Sequence, residues 1–166
     1  MKDIDIAKYI IYTMHQKGCP ISNLQLQKIL YFAHVESNAT LLKEKFEAWK
    51  NGPVLRNIYN EFRHYSAEKI VNITTLEVLP NKEEKEILDN VIQAFIKLGA
   101  WNIVLLAHSE QLAWRKTTND FINNDGSWNE KKYKENFIKN GCLYIDNKLI
   151  KKDKNKIYKN QFQGDL

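Results

Sequence analysis

Apolar residues recur along this chain mostly at helical spacing. Ile6, Tyr9/Ile10 and Thr13/Met14 fall on one face of a segment that Asp3 can cap and that runs to about Lys17. Gly18, Cys19 and Pro20 stop it, because Gly accepts the left-handed conformation and Pro cannot continue a helix. Ser22-Asn-Leu-Gln25 is a capping-box pattern, in which the hydroxyl accepts from the Gln25 backbone and Gln25 reaches back. The second helix it opens carries Leu26, Ile29, Leu30 and Ala33, with Leu24, Tyr31 and Phe32 widening the apolar arc. A helix apolar over so much of its circumference belongs at the centre of a domain.

After a polar interval, Phe46-Glu-Ala-Trp49 reads as a short extended piece leading into Asn51-Gly52. Pro53 suits the first position of a third helix, which shows Val54, Ile58, Phe62 and Tyr65 at helical spacing. Lys69 to Leu79 alternates and is rich in Ile, Val and Thr, a pattern for a short strand or an extended linker. Asn81 and Glu84 begin a fourth helix, with Ile87, Val91 and Phe95 on one line and Leu88, Ile92 and Ile96 beside it. Gly99 is expected to end it, and Trp101, Val104, Leu105 and His108 to continue on a fifth segment. Ser127-Trp-Asn-Glu130 is a further capping box, opening a polar helix to about Lys139. Cys142 to Ile145, Asp146-Asn147 and Lys148 to Ile150 read as a small hairpin around a tight turn. The pattern therefore predicts a mainly α fold: one compact multi-helix domain over residues 1–145, with a short extended or β element and a C-terminal hairpin. A basic C-terminal tail follows over residues 146–166.

Composition narrows the picture. A chain of 166 residues, 43% hydrophobic and 27% charged, can bury a real core as one domain and is not disordered. The longest uncharged stretch, Leu98 to Ser109, is too short for the roughly 20 residues that span a bilayer. Asp3, Asp5, Lys8 and Lys17 deny the N-terminus the apolar centre of a signal peptide, so a cytoplasmic protein without a membrane partner is expected. Cys19 and Cys142 lie far apart and read as reduced thiols. Most of the formal charge of +5 sits between Asn147 and Leu166, where six lysines stand against Asp153 and Asp165. Such a tail can touch nucleic acid or an acidic partner, although a solvated terminus is the simpler reading.

Catalytic chemistry finds little support. The chain has no Gly-rich phosphate loop, nucleophile elbow, His-Glu-x-x-His or Cys-x-x-Cys. His15, His34, His64 and His108 show no metal-ligand spacing, so no metal, cofactor or catalytic residue is expected. His108 and Glu110 have the chemistry of an acid–base pair, but a histidine at an apolar helix end is more often a hydrogen-bonded core residue. The first two helices have a helix-turn-helix outline, with Asn23, Gln25, Gln27 and Lys28 as the side chains that could reach bases. A DNA-binding regulator is the alternative reading on that ground.

Three segments together carry a resemblance. Leu26-Gln-Lys-Ile-Leu-Tyr-Phe-Ala33 is similar to a Leu-Gln-Lys-Leu-Leu-Tyr-Phe-Ala helix, and Glu47-Ala-Trp-Lys-Asn-Gly-Pro-Val54, followed by Tyr59, to a Glu-Ala-Trp-x-x-Gly-Pro-Val turn. Leu105 to Trp114, with His108, Glu110 and Trp114, resembles a His-x-Glu-x-x-Trp element. In this order and spacing they resemble the Panacea (SocA-like antitoxin) family, from about Ile4 to Lys139. Two positions depart: His34 stands where glutamine often follows the alanine, and Ala113 where proline usually precedes the tryptophan.

The resemblance implies an antitoxin that neutralises a cognate protein toxin by binding it, with some members similar to adaptors for an ATP-dependent protease; nucleic acid would be a secondary partner. Leu30, Tyr31, Gly52, Pro53 and Tyr59 are expected to be architectural, since Gly permits positive φ and aromatic rings bury large areas. Lys28 and Glu47 need partners if buried, and either pair with one another across the core or line a groove with His108 and Glu110. We expect Gln27, Lys28, Glu47, Trp49, His108, Glu110 and Trp114 to converge on one partner-binding cleft.

Overall fold

The computed structural model of the protein describes the backbone of residues 1–107 and 112–162 and the side chains of residues 1–97 and 112–156. Within these the chain forms α1 (Asp3–Gln16), α2 (Asn23–Glu36), a β1 (Glu47–Trp49) and β2 (Gly52–Val54) hairpin, α3 (Arg56–Phe62), α4 (Lys82–Ala107), α5 (Ala113–Thr118), α6 (Glu130–Asn140) and α7 (Asn147–Phe162). The fold is mainly α, as the periodicity predicts.

The centre is α2. Its capping box forms as expected, Gln25 N donating to Ser22 Oγ at 3.4 Å and Ser22 N to Gln25 Oε1 at 2.9 Å. Leu26, Ile29, Leu30, Tyr31, Ala33 and Val35 are all buried, and α2 touches α1, α3, α4, α7 and β2. Ile6, Ile10 and Met14 of α1 close one side, and Leu88, Ile92 and Phe95 of α4 another. Burying each such aliphatic side chain is worth about 2 kcal/mol, so this all-round burial fixes where every other element can sit.

Several expected boundaries are corrected. Asp3 does not cap α1: Lys2 holds the cap position without a side-chain cap bond, its amide donating to Asp5 Oδ2 at 3.3 Å, and the Asp3 carboxylate instead accepts from the Lys43 and Glu44 amides at 3.1 and 2.8 Å. Pro53 lies on β2 opposite Ala48, and α3 starts only at Arg56. The other edge of β1 is taken by residues 143–145, Ala48 N donating to Leu143 O at 2.7 Å and Ile145 N to Phe46 O at 2.8 Å. Pro53 thus occupies an outer strand, where its missing N–H does no harm. Residues 69–79 form the extended linker alternative, pinned where Ile70 N donates to Ile21 O at 2.9 Å.

Gly99 does not end α4, which continues to Ala107. One interior Gly costs about 1 kcal/mol, and no Pro follows to force a stop. Ser127 does not cap α6: Asn129 accepts from Lys132 N at 2.9 Å, while Ser127 turns back on Asp125. The C-terminal hairpin is absent too. Asp146 accepts from Lys148 N at 2.7 Å and opens α7, since lysine-rich sequence favours helix over strand.

The segment expected to be a solvated tail is seated on the core as far as it is described. Ile150 and Asp153 of α7 are 0% exposed. The Asp153 carboxylate accepts from Tyr31 Oη at 2.6 Å and from the Ala113 amide at 3.0 Å, tying α7 to α2 and α5. Lys154 adds a bond to the Glu36 carbonyl at 2.7 Å. Burial, and then the Asp153 charge, push the Tyr31 hydroxyl well above its ordinary value, so it remains a donor. Asp153→Ala should leave that hydroxyl and the Ala113 amide unpaired in the core and cost about 3 kcal/mol in denaturant unfolding.

His34, buried on the far side of α2, receives the Leu42 amide on Nδ1 at 3.2 Å, so its proton sits on Nε2, 3.4 Å from Asn147 Oδ1. Burial lowers its pKa from 6.5, a shift opposed by Asn147. The unfolded chain therefore takes up a proton that the folded chain resists, and stability contributed by His34 is lost as pH falls below about 6.5. His34→Gln keeps one acceptor and one donor, and should flatten the fall in melting temperature measured between pH 7.5 and 5.5.

Candidate functional site

The site is built on the β1–β2 hairpin. Its two strands are three residues each, joined by Lys50-Asn51, and Gly52 at φ +119° supplies the conformation that brings Trp49 opposite it. So short a hairpin cannot hold itself together in water. It is held by side chains from around it. Lys28 Nζ of α2 donates to the Asn51 carbonyl at 2.5 Å, Trp114 Nε1 of α5 to the Trp49 carbonyl at 2.8 Å, and Tyr133 Oη of α6 to the Ala48 carbonyl at 2.9 Å. Gln27 Oε1 accepts from the Leu55 amide at 2.9 Å, while its Nε2 donates to Asn23 Oδ1 at 3.2 Å. Asn23 Nδ2 then reaches the Tyr59 carbonyl at 2.9 Å.

On the hairpin itself Glu47, 4% exposed, is the centre of charge. Arg56 donates Nε to Oε1 at 2.8 Å and Nη2 to Oε2 at 2.6 Å, and Trp49 Nε1 donates to Oε2 at 2.7 Å. Burial alone would raise this carboxyl; the Arg56 and Trp49 hydrogen bonds outweigh it and hold it below its usual value. The guanidinium lies 5.2 Å from the centre of the Trp49 ring, and Tyr59 meets the same ring edge-on at 5.0 Å. Arg56 Nη2 stands 3.7 Å from the free thiol of Cys142, and Tyr144, 51% exposed, bridges Glu47 through the backbone. Trp49, Arg56 and Tyr59 thus form one half-exposed surface over the buried Glu47 carboxylate, with the exposed Tyr144 bridged to Glu47 at its side.

This hairpin lies within the part of the chain, residues 26–115, that matches the family described as antitoxin SocA-like, Panacea domain. The chain belongs to that SocA-like antitoxin family. Among curated proteins it is 32% identical over 110 residues to the Antitoxin SocA of Caulobacter vibrioides (strain NA1000 / CB15N). That match covers 57% of this chain and 58% of the relative, less than two thirds of the relative's length. No solved structure matches the chain.

Of the residues expected at the site of this SocA-like protein, Gln27, Lys28, Glu47, Trp49 and Trp114 gather around the hairpin, four of them buried and Trp49 alone half-exposed. They form a support beneath a surface. His108 and Glu110 lie outside the described residues. Lys28 and Glu47 do not pair with one another: Lys28 takes a carbonyl and Glu47 takes Arg56. Leu30 and Tyr31 are core, Gly52 and Pro53 shape β2, and Tyr59 packs edge-on against Trp49. Of the four side chains of the helix-turn-helix reading, Asn23, Gln27 and Lys28 are 2%, 0% and 1% exposed and cannot reach bases, while Gln25 is half-buried and bonded to Ser22 and Lys69. Among the described residues no His, Cys, Asp and Glu group could hold a metal ion.

Sequence reasoning overlooked Arg56, Tyr133 and Tyr144. Arg56 carried a usable signal, since a two-residue turn sets Glu47 opposite Val54 and brings the start of α3 back beside it. Tyr133 and Tyr144 carried none, because their partners are more than 80 residues away.

Burial lowers the Lys28 amine from 10.5 to about 8. Below about pH 8 the folded chain holds a buried cation at a cost of about 3 kcal/mol; between 8 and 10.5 the unfolded chain keeps a proton the folded chain has released, and the cost fades. In urea unfolding, wild type should therefore gain about 2 kcal/mol on Lys28→Met between pH 7.5 and 9.5. Parallel curves would show that no charge is buried there.

Proposed function

We propose that this protein is an antitoxin that neutralises a cognate protein toxin by direct binding, acting in the cytoplasm and without catalysis of its own. The observation that carries the proposal is the Trp49–Arg56–Tyr59–Tyr144 surface. Tryptophan, tyrosine and arginine supply most of the binding energy at protein interfaces. Here Trp49 and Arg56 are fixed before any partner arrives, by Glu47 beneath them and by the donors that hold the hairpin, so little of their ordering entropy is lost on association. Membership of the SocA-like antitoxin family and the name of the Caulobacter relative support a toxin as that partner. In its fuller form the proposal has the bound toxin handed to an ATP-dependent protease, as the family resemblance suggests; a shorter toxin half-life on co-expression would report that step.

The decisive experiment expresses the neighbouring open reading frame under tight induction, with and without this protein. Growth arrest relieved by the protein, with the two copurifying, is the expected result. Trp49→Ala should weaken binding about 100-fold and Tyr144→Ala about tenfold, each tenfold being about 1.4 kcal/mol. The exposed Tyr144 should change without loss of thermal stability. Full rescue and unchanged affinity with both variants would exclude this surface.

A further inference from the structure

The outer face of α7 is unlike the rest of the molecule. Its inner face is fixed by Ile150 and Asp153, both 0% exposed, and by Lys154, which reaches Glu36. Lys148, Lys151, Lys152 and Asn155 follow at i, i+3, i+4 and i+7 and are all exposed. This spacing puts them in one stripe along the helix. None of the three lysines has an ion-pair partner among the described residues, and the one acid within the helix, Asp153, points into the core. The neighbouring α5, whose first amide binds Asp153, carries Arg115 and Lys116 within a turn of that contact. The cationic face is thus rigidly mounted, and outside the helix the acid nearest it in sequence is Asp146, exposed at the helix start and bonded to the Lys148 amide.

We propose that the Lys148–Lys151–Lys152 face of α7 binds the phosphate backbone of duplex DNA without reading its sequence. The chemistry of the face selects this occupant over an acidic protein. Lysine is depleted at protein–protein interfaces, which depend on aromatic and arginine anchors, and the stripe has none. Flexible ammonium groups suit phosphates, where the gain comes from released counterions and needs no exact fit. The face is separate from the helix-turn-helix outline of α1 and α2, where Asn23, Gln27 and Lys28 are buried, and it does not depend on the hairpin surface.

The test titrates the full chain onto a short mixed-sequence DNA duplex at about 50 to 200 mM salt. With three phosphate contacts, the slope of log K against log salt should lie near −3, as about −0.9 is expected for each phosphate neutralised. The variant Lys148→Gln/Lys151→Gln/Lys152→Gln should lose nearly all of that slope and bind at least tenfold more weakly at the lowest salt. Its melting temperature and its toxin rescue should stay unchanged, since the replaced side chains are solvated. Absence of binding at the lowest salt, or an unchanged slope in the triple variant, would overturn the proposal. A triple variant that keeps DNA but loses toxin rescue would overturn it too, and assign the face to an acidic protein.

Discussion

Everything around the candidate site depends on one constraint: the backbone polar groups of an eight-residue hairpin are packed against the protein and must find partners there. A carbonyl cut off from water without a donor costs about 1–3 kcal/mol, and the hairpin turns three carbonyls, at Ala48, Trp49 and Asn51, toward the helices around it. Each is met by a side chain from a different helix. That is why polar residues stand in the middle of an otherwise apolar α2. Lys28 has a long enough stem to cross the core and a head that donates at the far end, whereas Gln27 presents an acceptor to Leu55 and a donor to Asn23 at once. Methylene groups pack against the core while their polar ends do the holding.

The same constraint joins interior to surface. The Glu47 carboxylate is committed to Arg56 and Trp49, so neither ring nor guanidinium can rotate freely, although both are partly in water. An exposed ion pair is worth little, but this carboxylate is almost fully buried and its pair is bidentate. Removing Arg56 would leave an uncompensated charge; removing Glu47 would free the stack above it. The exposed aromatic surface is therefore a product of what lies under it.

How much of this was legible in the sequence follows from range. Elements governed by neighbours in the chain were readable: the capping boxes at Ser22 and Asn81, the apolar arc of α2, and the line of Leu88 and Ile92 in α4. The residues of the site were singled out as motif members, but their roles were not, because Lys28 meets Asn51 and Trp114 meets Trp49 only through the fold. Where two local signals competed, the tertiary environment chose. Pro53 could start a helix or lie on an outer strand, and the pairing of residues 143–145 with β1 made it the outer strand. Asp146-Asn147 could turn a hairpin or cap a helix, and the buried pocket between Tyr31 and Ala113 decided for a helix that brings Asp153 into it.

That last choice has a consequence for where the domain ends. The family match stops at residue 115, yet several groups inside it are completed only from beyond it, the Ala113 amide, His34 and the Glu36 carbonyl among them. The Ala48 carbonyl takes Tyr133, and the Tyr31 hydroxyl, at the centre of α2, takes Asp153. Cys142 and Tyr144 flank the Glu47 pair, and residues 143–145 supply the strand that makes Pro53 an edge residue. A chain cut after α5 would keep every recognised motif and lose the partners of the Tyr31 hydroxyl, the Ala113 amide and the Ala48 carbonyl. The physical unit that presents the hairpin is thus longer than the sequence-defined one, and α7, for all its surface charge, belongs to that unit through one carboxylate.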